Sequence, residues 1–352
     1  MSIKLLKASC LAIATVCLSM AAPKPFFMDD TELTGAGSSF DYPLFTKMFA
    51  DYNTATGIKV NYQSVGSGAG ISQLTAKTVD FGATDAPMNG KQDSALSAPA
   101  IHIPVTAGAV VLSYNLAEVK GALLLTPSVL ADIFLGNITM WNDGKIAAIN
   151  KGMNLPATAI LIAHRSDGSG TTNIFTTYLA KVSSDWNSKV GKGSAVNWPT
   201  GLGGKGNEGV AGLIKQTPGA IGYIELAYAV QNAMPYASVQ NKAGKFIVPS
   251  TASITAAANI PIPADSKVSL TNTDAADGYP ISGFSWVALY KEQNYDSRSK
   301  VKAANLVKLI SWMIHDGQKF SAPLNYAPLS PAAVKVGDAL LKTVTYNGQP
   351  LK

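Results

Sequence analysis

Nine consecutive residues, His164-Arg165-Ser166-Asp167-Gly168-Ser169-Gly170-Thr171-Thr172, bring together a guanidinium, a carboxylate and a run of hydroxyl and glycine residues. The apolar run Ala159–Ala163 before them reads as a buried strand, and Asn173–Val182 after them reads as a helix. A strand-to-helix loop of this kind points backbone N–H groups at a helix N-terminus, where unsatisfied donors and a partial positive charge attract oxyanions. Arg165 would add a planar two-pronged donor, with Asp167 holding it in orientation. Only two arginines occur in the chain, Arg165 and Arg298, and one of them stands here.

Three further junctions have the same character. Leu33–Phe40 (LTGAGSSF) leads into a helix expected over Asp41–Asn53, with Ser38 or Ser39 as its N-cap and Pro43 in its first turn. The alternating strand Ile58–Gln63 is followed by Ser64–Gly70 (SVGSGAG) and a helix from Ile71 to Lys77, for which Ser67 is the expected cap. Asp80–Pro87 (DFGATDAP) is a strand-to-loop junction carrying Asp85. The Ser39-Phe40, Ser67-Gly68 and Ser169-Gly170-Thr171 loops, with Arg165 and Asp85, then line one cavity at strand ends, where α/β sheets place ligands. A carboxylate in an anion site suits an oxyanion that still carries a proton. Phosphate near neutral pH has an O–H for Asp85 to accept, whereas sulfate has none and would set acceptor against acceptor.

Enzyme signatures do not fit. Gly201–Gly206 matches G-x-G-x-x-G, but Pro199-Thr200 precedes it where a dinucleotide site needs a strand. No phosphate-binding P-loop occurs, and Ser169 lacks the glycine pattern of a nucleophile elbow. His102, His164 and His315 are scattered without metal-ligand spacing, and the five tryptophans read as packing residues. No cofactor is expected. Lys and Arg total 28 against 22 Asp and Glu, without a basic run interleaved with aromatics, so nucleic acid is not an expected partner.

The positioning elements follow from the rest of the chain. Residues 1–21 have the lysines, apolar core and small-residue end of a signal peptide, with cleavage expected after Ala21 and the mature chain in the periplasm. Both cysteines, Cys10 and Cys17, fall inside it, so no disulfide is available afterwards. Roughly 330 residues remain, more than one core usually serves, which suggests two lobes. Ile101–Asn115 and Tyr279–Tyr290 are apolar, strand-like stretches suited to crossing between them. Thr126-Pro127 opens a helix over Ser128–Leu135 that Gly136 stops. Gly201–Gly209 leads to a helix over Val210–Gln216, Ala220–Ala229 is a further apolar segment, and Thr251–Gly278 is loose with one helix at most. A last helix falls within Asn294–His315. Strands alternating with helices give an α/β fold with largely parallel sheets. Lobe I is expected from residues 22–115 plus 280–352, and lobe II from 116–279.

The blocks TGAGSSF, YQSVGSGAG, VDFGATDAP, HRSDGSGTT and WPTGLGGKGNEG, in this order, resemble the periplasmic phosphate-binding proteins of Pst-type phosphate ABC importers. The resemblance runs from Leu33 onward and weakens beyond Asp296. It implies a two-lobe, Venus-flytrap binding-protein fold, no metal, and phosphate held between the lobes by hydrogen bonds alone. Carried over block by block, it implies that phosphate contacts Ser39, the Phe40 N–H, Ser67, Asp85, Arg165, Ser169, the Gly170 N–H and Thr171, with Asp167 pairing Arg165. Ser39 stands where a threonine is common, and Gly68 where a second serine is common. The expected partners are inorganic phosphate and the membrane permease of an importer, and the expected state is a monomer. An exported phosphate hydrolase, or a phosphate receptor or adhesion protein outside transport, is the alternative.

Overall fold

The structure, a computed structural model, describes residues 30–351. The expected signal peptide and its cleavage point lie outside the described residues. One eight-stranded sheet organises the fold. Its strands, in chain order, are β1 (Glu32–Gly37), β2 (Lys59–Ser64), β3 (Phe81–Thr84), β4 (Ala100–Tyr114), β5 (Leu161–Arg165), β6 (Leu202–Gly204), β7 (Ala220–Glu225) and β8 (Ser282–Tyr290). Across the sheet they run β2-β1-β3-β8-β4-β7-β5-β6. The outer triplets, β2-β1-β3 and β7-β5-β6, are parallel, and the central strands β8 and β4 pair antiparallel with their neighbours.

β4 belongs to both halves. Its first part, Ala100–Ala109, pairs with β8, and from Val110 to Tyr114 it pairs with β7. The stretch expected to hold crossing strands is thus a single 15-residue strand, buried from His102 to Tyr114. A strand covered on both faces reads as a near-continuous apolar run rich in β-branched residues, which is what Ile101–Val111 provides. β8 is likewise buried at every residue.

The longer helices are α1 (Tyr42–Thr56), α2 (Ser67–Thr75), α3 (Pro127–Phe134), α4 (Gly170–Val182), α5 (Gly206–Gln216), α6 (Thr251–Ala258), α7 (Lys300–Ile314) and α8 (Pro331–Leu341). α1 packs through Leu44, Phe45, Met48, Phe49 and Tyr52, residues three to four apart on one face. α3 opens as its sequence indicates, with the Thr126 hydroxyl accepting the Val129 N–H and Pro127 in the first turn. The same device, Ser330 before Pro331, opens α8, which the sequence reading had passed over. Beyond α6, residues 259–278 are largely irregular, and α7 begins at Lys300.

Helix starts differ most from expectation. α1 starts after Asp41, which accepts no first-turn N–H, and neither Ser38 nor Ser39 caps it. α2 starts at Ser67 itself, with Gly66 in the capping position at φ 90°. α4 starts at Gly170 and α5 at Gly206, each three to four residues earlier than the apolar pattern suggests. Serine and glycine in these first turns carry no apolar signal, so periodicity alone cannot find them. β5 extends to Arg165, which therefore ends a strand and does not ride in a loop.

α2 lies close against β1. A Cβ on Gly70 would fall 2.4 Å from Gly37 Cα and 2.5 Å from Ala36 O, both backbone atoms that cannot rotate away. Gly70→Ala should push α2 off the sheet and cost about 1–3 kcal/mol of stability, read from the midpoint of urea unfolding.

Candidate anion-binding site

Five strand-to-helix junctions meet where the halves face each other: those after β1, β2, β3, β5 and β6. All are carboxyl ends of parallel strands, so the helices α1, α2, α4 and α5 turn their N-termini toward one point. The halves are closed on one another. The Gly68 N–H donates to the Gly168 carbonyl at 2.8 Å, and the Gly170 N–H donates to Ser67 Oγ at 3.1 Å. On the other flank the Asn207 N–H and Nδ2–H donate to Ser39 Oγ at 3.0 and 2.9 Å.

Glycines permit this approach. A Cβ on Gly66 would lie 2.1 Å from Asp167 Oδ2, and one on Gly68 would lie 3.1 Å from Gly168 Cα. A serine at position 68 would press on the backbone of the opposite half, which accounts for glycine there.

Arg165 is held from every side. Its Nε and Nη2 donate to Asp167 Oδ1 and Oδ2 at 2.8 and 2.5 Å, and Nη1 donates to Thr171 Oγ1 at 3.3 Å. Its backbone N–H donates to the Tyr223 hydroxyl at 3.0 Å, and that hydroxyl also meets Thr172 Oγ1 at 2.6 Å. Beneath it lies a ring stack in which His164 faces Trp198 at 4.9 Å and Trp198 faces Tyr223 at 5.5 Å. Burial alone would raise the Asp167 carboxyl. The hydrogen bond and charge of Arg165, with the Gly206 N–H, more than reverse this and hold it below the ordinary carboxylate range.

Asp85 is 3 % exposed. Its Oδ1 accepts from Ser38 Oγ at 2.5 Å and from Ser285 Oγ at 2.9 Å, while Oδ2 accepts weakly from Ser67 Oγ at 3.5 Å. Burial pushes its pKa up to about 6, against the opposing pull of Ser38, Ser285 and the Arg165 charge. Two more acids are shut off from water close by. Asp41 is driven well above the usual carboxylate value by burial and then by Asp85. Glu225 is driven the same way by burial, and its Oε1 has no hydrogen-bond partner.

Of the residues singled out in the sequence, Ser67, Asp85 and Gly170 are in mutual contact, as are Arg165, Asp167 and Thr171. Ser39 joins the second group through Asn207, whose Nδ2 also donates to Thr171 Oγ1 at 3.1 Å. The Phe40 N–H is taken by Ser38 Oγ at 2.9 Å, and Ser169 Oγ accepts the Thr172 N–H as the cap of α4. The sequence offers Ser38 only as a helix cap and gives no site role to Asp41, Asn207 or Ser285. Asn207 stands in the glycine loop that opens α5 and was legible there; a lone serine in the apolar run SGFSW carried no signal.

The arrangement can do one thing chemically. It gathers hydroxyls, backbone N–H groups and a guanidinium around one ionisable acceptor, with water excluded, which suits recognition of a small protonated oxyanion. Among the described residues, no group of three or more His, Cys, Asp or Glu side chains could hold a metal ion.

The buried acids set a pH dependence. A carboxyl raised on folding binds a proton in the native chain that the unfolded chain has released, so its contribution is greatest at low pH and is lost as pH rises. His102, lowered to about 3 by burial, acts oppositely once pH falls below about 6.5, where the unfolded chain charges. In phosphate-free buffer, Tm should therefore rise on going from about pH 8 to about pH 6.5 and then rise less steeply. A steady fall over that interval in scanning calorimetry would contradict the raised acids.

Comparison with known proteins gives this site its context. Residues 28–316 match the family model described as a PBP superfamily domain. The chain is 46% identical over 308 residues to the phosphate-binding protein PstS of Xylella fastidiosa (strain 9a5c), covering 86% of this chain and 83% of that protein. It is 44% identical over 315 residues to the phosphate-binding protein PstS of Pasteurella multocida (strain Pm70), covering 88% and 90%. In fold it is similar to a high affinity periplasmic phosphate-binding protein, PfluDING, solved with phosphate, at a TM-score of 0.68 and 18% identity, over 91% of this chain and 100% of the other. The chain thus belongs to the PBP superfamily and, within it, to the family of the PstS phosphate-binding proteins.

Proposed function

We propose that this chain is a periplasmic receptor that encloses inorganic phosphate between its halves and presents it to the permease of a phosphate ABC importer. Membership of the PstS family supports the ligand and the transport setting. The observation that carries the chemistry is Asp85, a buried acceptor set among donors. Phosphate would donate its O–H to Asp85 and accept from Ser39, the Phe40 N–H, Ser67, Arg165, Ser169, the Gly170 N–H and Thr171, with Asp167 fixing the guanidinium. Several of these groups are bonded to one another in the closed form, so ligand binding exchanges protein–protein hydrogen bonds for protein–phosphate ones.

The lobes in this reading are residues 22–115 with 280–352, and residues 116–279, with the change of partner along β4 at Val110 as the flexing point. Closure would follow binding because only the closed form offers donors from both halves. The receptor acts as a monomer, after removal of residues 1–21, and it binds without turning its ligand over.

Titration calorimetry should give a strong signal with phosphate and little with sulfate. Asp85→Asn should narrow that difference by tenfold or more, since the amide no longer repels a fully deprotonated anion. Arg165→Ala should weaken phosphate by about 2–5 kcal/mol, partly because the partly buried Asp167 carboxylate then faces the anion without its cationic partner. Equal heats for both anions with the unmutated protein would defeat the proposal, and release of phosphate from a phosphomonoester would point to an enzyme.

A further inference from the structure

A single hydroxyl proton decides the state of the acids behind this site. Ser285 Oγ stands 2.6 Å from Asp41 Oδ2 and 2.9 Å from Asp85 Oδ1. A serine hydroxyl has one proton to give, and an ionised carboxylate has none. With both acids ionised, one of these contacts would set lone pair against lone pair, away from water, at hydrogen-bonding distance. One more proton is required.

The donors around each acid decide where it sits. Asp85 is supplied by Ser38 at 2.5 Å and Ser67 at 3.5 Å, and it feels the charge of Arg165. The Asp41 carboxyl has, besides Ser285, only its own backbone N–H and the Tyr62 phenol at 3.5 Å, and that phenol already donates to the Ser38 carbonyl at 2.7 Å. The carboxyl takes no N–H from the helix it precedes, and no cation acts on it as Arg165 acts on Asp85. The better-supplied acid keeps the charge, and the poorly supplied one keeps the proton.

We infer that Asp41 is a protonated acid that donates to Ser285 Oγ, whose own proton then goes to Asp85, so that Asp41 is a positioning residue holding Asp85 as a pure acceptor. Its importance for ligand choice rests on the function proposed above; its protonation does not. Were the proton on Asp85, that residue would offer an O–H to the ligand and suit an anion with no proton of its own. Charge in the neighbourhood agrees with this placement. Asp85 and Tyr62 face Asp41 directly, Tyr228 and Tyr326 lie within reach of its charge, Glu225 is bonded to Tyr326 and acts on Asp85, and the Arg165 charge acts on Asp85. Burial raises Asp41 well above the ordinary value, whereas Asp85 is held to about 6.

Infrared difference spectroscopy at neutral pH tests this on the purified protein and its Asp41→Asn and Asp41→Ala variants, alongside calorimetry with phosphate and with sulfate. The Asn variant should lose one protonated-carboxyl C=O band. Its amide N–H can replace the acid's O–H toward Ser285, so it should bind phosphate within about threefold of the original and still ignore sulfate. The Ala variant, with the chain broken, should bind phosphate about tenfold more weakly or worse. No lost band, or an Asn variant that binds either anion about tenfold more tightly because a buried negative charge has gone, would overturn the inference. A lost band in a protein that binds no phosphate would overturn the ligand while confirming the protonated acid.

Discussion

Burying a guanidinium constrains everything around it. The Arg165 side chain is 1% exposed, and a charge so far from water must be met in full by fixed partners. Asp167 meets it in two-pronged fashion, but the carboxylate then needs space and donors of its own. Gly66 supplies the space, since any side chain there would strike Asp167, and the Gly206 N–H supplies a donor at 3.2 Å. The other arginine obeys the same rule at a distance. Arg298, after β8, is met by charge more than by hydrogen bonds: it lies 2.9 Å from Asp80 and donates through Nη1 to Tyr295, and it joins the far end of the chain to the start of β3. One buried pair builds the site and the other ties the half that carries Asp85.

The acids behind the site face the opposite problem. Asp41, Asp85 and Glu225 would be three negative charges in a dry space near one already neutralised arginine, an arrangement that would expel an anion. Burial resolves this by raising Asp41 and Glu225 well above the ordinary carboxylate range, while the Arg165 charge and three serines pull Asp85 back, so the site presents one carboxylate instead of three. Selectivity thus depends on where protons rest as well as on which residues line the cleft.

The loop from His164 to Thr172 was legible because arginine is rare in this chain and because Ser-Gly-Thr before an apolar helix is a capping signal. Asp85 was legible because a carboxylate is out of place in an anion site unless it has a task. The crossing strand was legible from its long, mostly apolar stretch rich in β-branched residues. What escaped were groups whose role arises only from chain ends meeting in space. Ser285 comes from β8, some two hundred positions after its partner Asp85, and Asp41 looks like an ordinary helix cap until its carboxyl is seen to point away from its helix. Helix starts shifted because serine and glycine first turns are invisible to periodicity. Ser67, expected to cap α2, is the first residue inside it and spends its hydroxyl across the seam.

Because β4 runs unbroken from one half to the other, the halves share a torsion bar. Backbone hydrogen bonds grip it on both sides of Ala109 and Val110, to β8 and then to β7, so sliding or detachment would break ladder bonds, while twisting strains them little. Any opening of the cleft would therefore have to come as rotation about this strand, parting Gly68 from Gly168 while the ladders on either side keep their register.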